Sequence, residues 1–359
     1  MNHPFMALAR DMDAGWEDLP KTGDVLLAGR RVPVSECEYH PIPAARTPHT
    51  ISYVDGGSAV LARSPAFAAG INRLYCSTYR GSERRDGQAV RPAQFLSLMR
   101  RAAGRFRFAL YPYGGRPDML PDAAALDREA EAEAGAVPAA GPAAGVDGAH
   151  RLLSLPRSMG EWKMAGEAAG LLDRGDCVVM DGSLHVWGRA SRDLARSVMG
   201  KARRRGVTMC GLSKTTGLRL DGGRPLLDIL GEGCGIEAPW YADIGRPPAS
   251  PRDGDIHTMA VMLHPSSRWA YRLDMDAVMR HNIGDGGAGM VLASLAANSS
   301  DAALPGYPYG LSSADRFARV RHDEAAAFAI QLRALMGAGP RRAAGLNEQH
   351  EYLNRVVAG

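Results

Sequence analysis

From Thr50 to Arg63, and again from Ile71 to Arg80, β-branched, aromatic and small residues alternate with polar ones around Asp55-Gly56-Gly57. A period of two buries one face of each run, so the pattern predicts two neighbouring antiparallel strands, with Phe106 to Tyr113 as a third. Residues 121 to 149 are almost wholly Ala, Gly, Pro, Glu and Asp. That stretch is too poor in large apolar groups to order itself by burial, and a mobile, low-complexity insertion is expected there. Helical spacing resumes over Ser158 to Leu172 and leads into the apolar run Cys177 to Met180, which stops at Asp181-Gly182.

Downstream, Arg189 to Arg205 predicts a basic helix and Val207 to Leu212 another buried strand. Strand, helix and strand with short connections favour parallel pairing through a right-handed crossover. A strand pair (Asp255 to Leu263 and Arg268 to Asp274) and a small-residue helix (Gly286 to Ala297) follow. The chain closes with a Gly-Tyr-Pro turn, a helix through Asp315 and Arg321, and a second helix to Met336. Residues 1–48 mix a short helix (Phe5 to Leu19) with Pro-containing extended segments and read as an extension of a domain spanning 49–359. A meander carrying one carboxylate, then alternating helices and strands carrying a second, matches a ribonuclease H-like topology. The expected fold is α/β: a mixed sheet with flanking helices and a C-terminal helical segment.

Composition narrows the function classes. At 359 residues and 45% hydrophobic, the chain has ample material for a core. Its 43 basic and 39 acidic residues nearly balance, so local clusters matter more than net charge. Such clusters include Lys201 with Arg203, Arg204 and Arg205, and Arg316 with Arg319 and Arg321. Five scattered cysteines without paired metal spacing read as reduced thiols of a cytoplasmic protein. No run approaches the ~20 apolar residues of a membrane span, which argues against a membrane role.

Both Asp55 and Asp181 close an apolar run at an Asp-Gly. One such junction is an ordinary turn; two at the ends of neighbouring strands suit a divalent metal. Asp55, a helix glutamate (Glu161 or Glu167), Asp181, Lys214 and Asp315 each have a use in phosphodiester hydrolysis. Carboxylates bind hard cations, and two metals ~4 Å apart activate water and stabilise the leaving oxygen. A lysine beside them neutralises charge developing on phosphoryl oxygens.

Five segments carry a family resemblance: Tyr53-Val54-Asp55-Gly56-Gly57, Val179-Met180-Asp181-Gly182-Ser183-Leu184, Leu212-Ser213-Lys214-Thr215, Gly306 to Asp315, and His350-Glu351-Tyr352-Leu353-Asn354. In this order they resemble the NurA nucleases of archaeal DNA repair, over roughly Thr50 to the C-terminus. The resemblance implies a manganese-dependent 5′ to 3′ exonuclease with single-strand endonuclease activity, acting in end resection. It also implies a homodimer that works with a HerA-type hexameric ATPase. Asp55 and Asp181 carry over as ligands of Mn²⁺, with Mg²⁺ as the alternative, and Lys214 as the active-site lysine. The family's helix glutamate falls on Glu161, with Glu167 as the other candidate. Asp315 stands where the family often has a histidine, and Gly310 where it usually has a second proline.

Arg203 and Arg204 on the basic helix, Arg316 beside Asp315, and Tyr307 are the expected DNA contacts, the tyrosine by stacking on a frayed base; Tyr309 is assigned to packing. His185, His264 and His322 read as structural. A second class of function is a weakly catalytic DNA-binding or regulatory subunit of the ATPase. A phosphotransferase using Asp181 as nucleophile is disfavoured, because Ser183 stands where its second acid would be.

Overall fold

Strands from both halves of the chain meet in one eleven-stranded mixed sheet. The computed structural model describes residues 4–337 and 339, apart from 28, 47, 65, 86, 88, 89, 137–143, 187, 234, 238, 246–249 and 253. In chain order the elements are α1 (Pro4–Glu17), β1 (Asp24–Leu27), β2 (Arg30–Pro33), β3 (Glu38–Pro41), β4 (Thr50–Ser64), β5 (Phe67–Arg80), β6 (Glu83–Arg84), β7 (Ala93–Ala102) and β8 (Arg105–Pro112). Next come α2 (Ala123–Ala136), α3 (Ala144–Leu171), β9 (Cys177–Asp181), α4 (Arg189–Arg205), β10 (Thr208–Ser213), α5 (Leu226–Glu232) and β11 (Trp240–Asp243). The last are β12 (Ile256–Met262), β13 (Tyr271–Asp276), α6 (Ala277–Ala297), α7 (Tyr309–Ala318) and α8 (His322–Leu335). The sheet order is β3-β11-β12-β13-β10-β9-β4-β5-β7-β8, with β6 beside β5.

The pairs β4–β9 and β9–β10 are parallel and the other pairs antiparallel. Strand β9 lies between two parallel neighbours, which is why it is an unbroken apolar run rather than an alternating one. Its face shared with Tyr53 and Leu212 packs against Leu292 and Leu295 of α6 and Leu311 and Ala314 of α7. The opposite face, with Val54 and Met180, packs against Trp162 and Ala165 of α3 and Val198 of α4. Helices therefore cover both sides, and β9 sits at the centre.

Three expectations change. Residues 121–149 are not a loop over their described part: α2 and the start of α3 occupy it. Leu126 and Ala130 of α2 are buried against β7 and β8. Its acids cap the open edge of β8, where the Phe106 and Phe108 amides donate to Glu131 (2.8 Å) and Asp127 (2.7 Å). Satisfying edge-strand amides gives an Ala- and Glu-rich helix a docking energy that composition does not reveal. Segment 1–48 also contributes to the main sheet, through its edge strand β3. Finally, Asp55-Gly56 is not a turn. Strand β4 runs through it for a further eight residues, to Ser64.

Candidate metal centre

The register brings the first two carboxylates together. Val54 pairs with Met180, so Asp55 stands beside Asp181, and Asp181 in turn pairs with Leu212 of β10. Asp55, Asp181 and Lys214 share the parity of Tyr53, Val179 and Leu212, and so project to the face that α7 covers. Helix α7 delivers the third acid. One oxygen from each of Asp55, Asp181 and Asp315 lies within 4.8 Å of the others, the spacing a shared divalent ion requires.

Two glycines let helices approach β4 from both sides. On one face a Cβ at Gly56 would collide with Glu161 of α3; on the other, a Cβ at Gly57 would run into the Ala318 carbonyl at the end of α7. Glu161 is thereby held against the strand beside Asp55. Arg157, one helical turn earlier, grips it at 2.6 Å and also donates to the Gly56 carbonyl at 3.0 Å. Glu167 belongs elsewhere, paired at 2.6 Å with Arg116. Gly310 has a similar explanation: any side chain there would strike the Tyr53 ring, so α7 can settle on β4 only with glycine at this position.

Electrostatics agree with a cation-seeking site. Burial, then repulsion from Asp181 and Asp315, pushes the Asp55 carboxyl up to about 7, against the Gly56 amide and Lys214. Burial pushes Glu161 up to about 8 in spite of Arg157, with Asp55 and Asp181 adding to the rise. Lys214 is the cation already present. Its ammonium lies 2.9 Å from Asp181 and 3.9 Å from Asp315, over the Tyr307 ring at 5.1 Å. Partial burial alone would lower its pKa, but the charges of Asp181, Asp315 and Asp55 outweigh that and the net shift is upward. Arg319 pairs with Asp315 at 2.7 Å. An all-oxygen donor set that draws in two basic side chains fits a hard divalent ion such as Mn²⁺ or Mg²⁺.

The turn after Asp181 is braced from beneath. Fully buried Asp274 accepts from the Ser183 hydroxyl (2.6 Å), the Leu184 amide (3.1 Å) and the Thr258 hydroxyl (2.8 Å), and pairs with Arg272. Ser183 is thus a structural anchor. His185, whose pKa burial lowers, is outside the carboxylate cluster. His264 accepts from the Ser266 amide, and His322 opens α8.

The expected DNA contacts scatter. Tyr307 is 5% exposed and packs on Tyr271 at 5.6 Å, so it is not a stacking platform; Tyr309 is the exposed one, at 46%. Arg203 is paired with buried Asp276 at 3.1 Å, and the end of α4 that holds Arg203 and Arg204 lies where β9 and β10 begin, away from Asp181 at the end of β9. There Arg205 donates to the Leu172 carbonyl and the Gly175 amide to that of Gly206. Arg316 is exposed beside Asp315, over the Phe317 ring. Arg157 has no role in the sequence reading and Arg319 figures there only in a basic cluster, although each stands at i,i+4 from the acid it holds, which was the available signal. The His350–Asn354 segment lies outside the described residues.

No family model and no curated protein matches this chain. Two solved structures of Argonaute from Aquifex aeolicus align with 82% and 78% of it, each at 8% identity, with TM-scores of 0.25 and 0.29. The chain spans 29% and 28% of their lengths, under a third in each case. At those scores the likeness is too loose to define either fold or chemistry. The residues define an α/β protein with a large mixed sheet and an acidic site able to hold a metal ion.

Proposed function

We propose that this protein is a metal-dependent nuclease with a ribonuclease H-like core, hydrolysing phosphodiester bonds in DNA. The observation that carries this reading is the convergence of Asp55, Asp181 and Asp315 within 4.8 Å, with Lys214 at its rim. Asp55, Asp181 and Asp315 would hold the cation; Glu161 lies across β4 from them, against Gly56 and paired with Arg157. Such an ion supplies Lewis-acid stabilisation of charge on phosphoryl oxygens. Lys214 keeps its ammonium where that charge develops, and on substrate binding exchanges part of its contact with Asp181 for a phosphate oxygen. Arg157 orients Glu161 and fixes it to the strand; Arg319 restrains Asp315. The motif order supports a NurA-like assignment, with Mn²⁺ as the metal, a homodimer as the assembly, a HerA-type ATPase as the partner, and end resection as the setting.

End-labelled DNA incubated with purified protein is expected to be cut in Mn²⁺ and spared in EDTA, and Asp55→Asn and Asp181→Asn should each lower the rate by at least about a hundredfold. Absence of metal-dependent cleavage, or unimpaired variants, would overturn the proposal. One observation favours the second reading, a DNA-binding subunit that does not cut: Lys214 and Arg319 already compensate two of the acids. DNA binding and ATPase stimulation without cleavage, equal in wild type and Asp55→Asn, would favour that role.

A further inference from the structure

Beside the carboxylates, on the outer side of Lys214, is a cleft of about 490 Å³ that the chemistry above does not use. Its walls include Lys214, Thr216, Asp228, Met262, Arg268 and Trp269. Trp269 is 64% exposed, a large apolar surface left in water where it could have packed inward. The loop that carries it, between β12 and β13, is ordered: the Ser267 amide donates to the His264 carbonyl at 3.0 Å and the Ser267 hydroxyl to the Trp269 carbonyl at 2.8 Å. Tyr271, two residues on, packs against Tyr307, whose ring lies under the Lys214 ammonium. The indole is therefore held on the same framework as the catalytic lysine. Arg268, exposed beside it, has no ion-pair partner among the described residues. Of the acids that also line the cleft, Glu232 is already held by Lys21 and Arg224, and Asp228 is left to accept a hydrogen bond.

We infer that this cleft is the subsite for a nucleotide adjoining the scissile phosphate of a single strand, with Trp269 stacking on its base and Arg268 meeting a backbone phosphate. The inference rests on the nuclease reading for its substrate class. An aromatic face accepts any base, and the two cations in the lining, Lys214 and Arg268, match the backbone's charge, so the subsite grips a strand without reading its sequence. A volume of this size lies within the range of small-ligand sites. A base inside a duplex has both faces covered by its neighbours and cannot lie flat on the indole, so the cleft favours unpaired bases and strand ends.

The test is binding, read without cleavage. Fluorescence anisotropy in EDTA gives Kd for a series of 12-nucleotide single strands, each with one abasic position, against wild type, Trp269→Ala, Trp269→Phe and Arg268→Ala. The expected result is a loss of roughly tenfold for Trp269→Ala on the intact strand, most of it restored in Trp269→Phe. One abasic position should weaken binding to wild type by a similar factor and leave Trp269→Ala unaffected. Arg268→Ala should flatten the salt dependence of Kd. Unchanged affinity in Trp269→Ala, or an abasic penalty that is the same in both proteins, overturns the subsite. If the coupling is found and Mn²⁺ still supports no cleavage, the hydrolytic reading fails and the subsite stands. Normal cleavage without coupling has the opposite meaning.

Discussion

At the scale of single residues, the two glycines after Asp55 are the tightest constraint on the site. They are strand residues whose missing side chains let α3 and α7 close on β4 from opposite faces. In Gly57→Ala the new methyl meets the Ala318 backbone, so α7 must move outward and take Asp315 with it. Overpacking of this kind costs roughly 1–3 kcal/mol. Urea unfolding of Gly57→Ala should register that loss, and DNA cleavage should fall further than stability does. A variant as stable and active as wild type would show that α7 does not lie on β4. In the sequence these glycines read as a turn signal, because Asp-Gly-Gly is turn chemistry wherever nothing else competes. Close packing on both faces of a long strand is the competing cause, and it has no local signature.

At the scale of elements, α4 shows how a correctly placed helix can have its role misread. Arg189 to Arg205 is the span that its periodicity predicts. Its arginines suggested a phosphate track, but Arg203 neutralises Asp276, the buried N-cap of α6. Arg203→Met leaves that carboxylate unpaired and is expected to destabilise the protein by roughly 2–4 kcal/mol in chemical denaturation, while the folded fraction keeps its DNA affinity. Arg316→Ala should do the reverse, weakening DNA binding with no change in stability, since it is exposed beside Asp315. Weakened DNA affinity in folded Arg203→Met would return α4 to the interface. The acidic helix α2 has the same lesson: its amphipathic content is slight, and its order comes from amides of β8 that only the assembled sheet presents.

At the scale of the molecule, the site is a charge imbalance that the fold sustains. Asp55 is protonated in both folded and unfolded chains well below its ordinary value of 3.8. Between pH 3.8 and about 7 the unfolded chain gives up this proton while the folded protein still holds it, so up to roughly 4 kcal/mol of stability is lost across that window, and the loss levels off once the folded carboxyl ionises above about 7. Melting in EDTA between pH 5.5 and 8 should therefore destabilise wild type relative to Asp55→Asn. Added Mn²⁺ should raise the wild-type midpoint most at the higher pH and leave the variant nearly unmoved. Parallel curves for the two proteins would refute both the buried charge and its relief by metal. Among the described residues no helix is long and apolar enough to cross a membrane.

Much of this was legible in order along the chain. The run of β9, the spans of β4 and α4, and the acids Asp55 and Asp181 that close apolar runs follow from local period and residue type, because strand and helix periodicity are imposed by the backbone itself. By contrast, α7 stops at Ala318 and not beyond Arg321, and Asp315 was singled out through the family resemblance. What local pattern could not contain is adjacency across the fold. That Glu161 and not Glu167 lies against β4 was decided by which face of α3 meets Gly56, the burial of Tyr307 by its packing on Tyr271, and the placement of Trp269 beside Lys214 by the pairing of β10 with β13. Sequence determines which groups are available and how each element is spaced; only the tertiary structure decides which of them share one small volume, because contact between distant residues depends on the register and packing of every element that separates them.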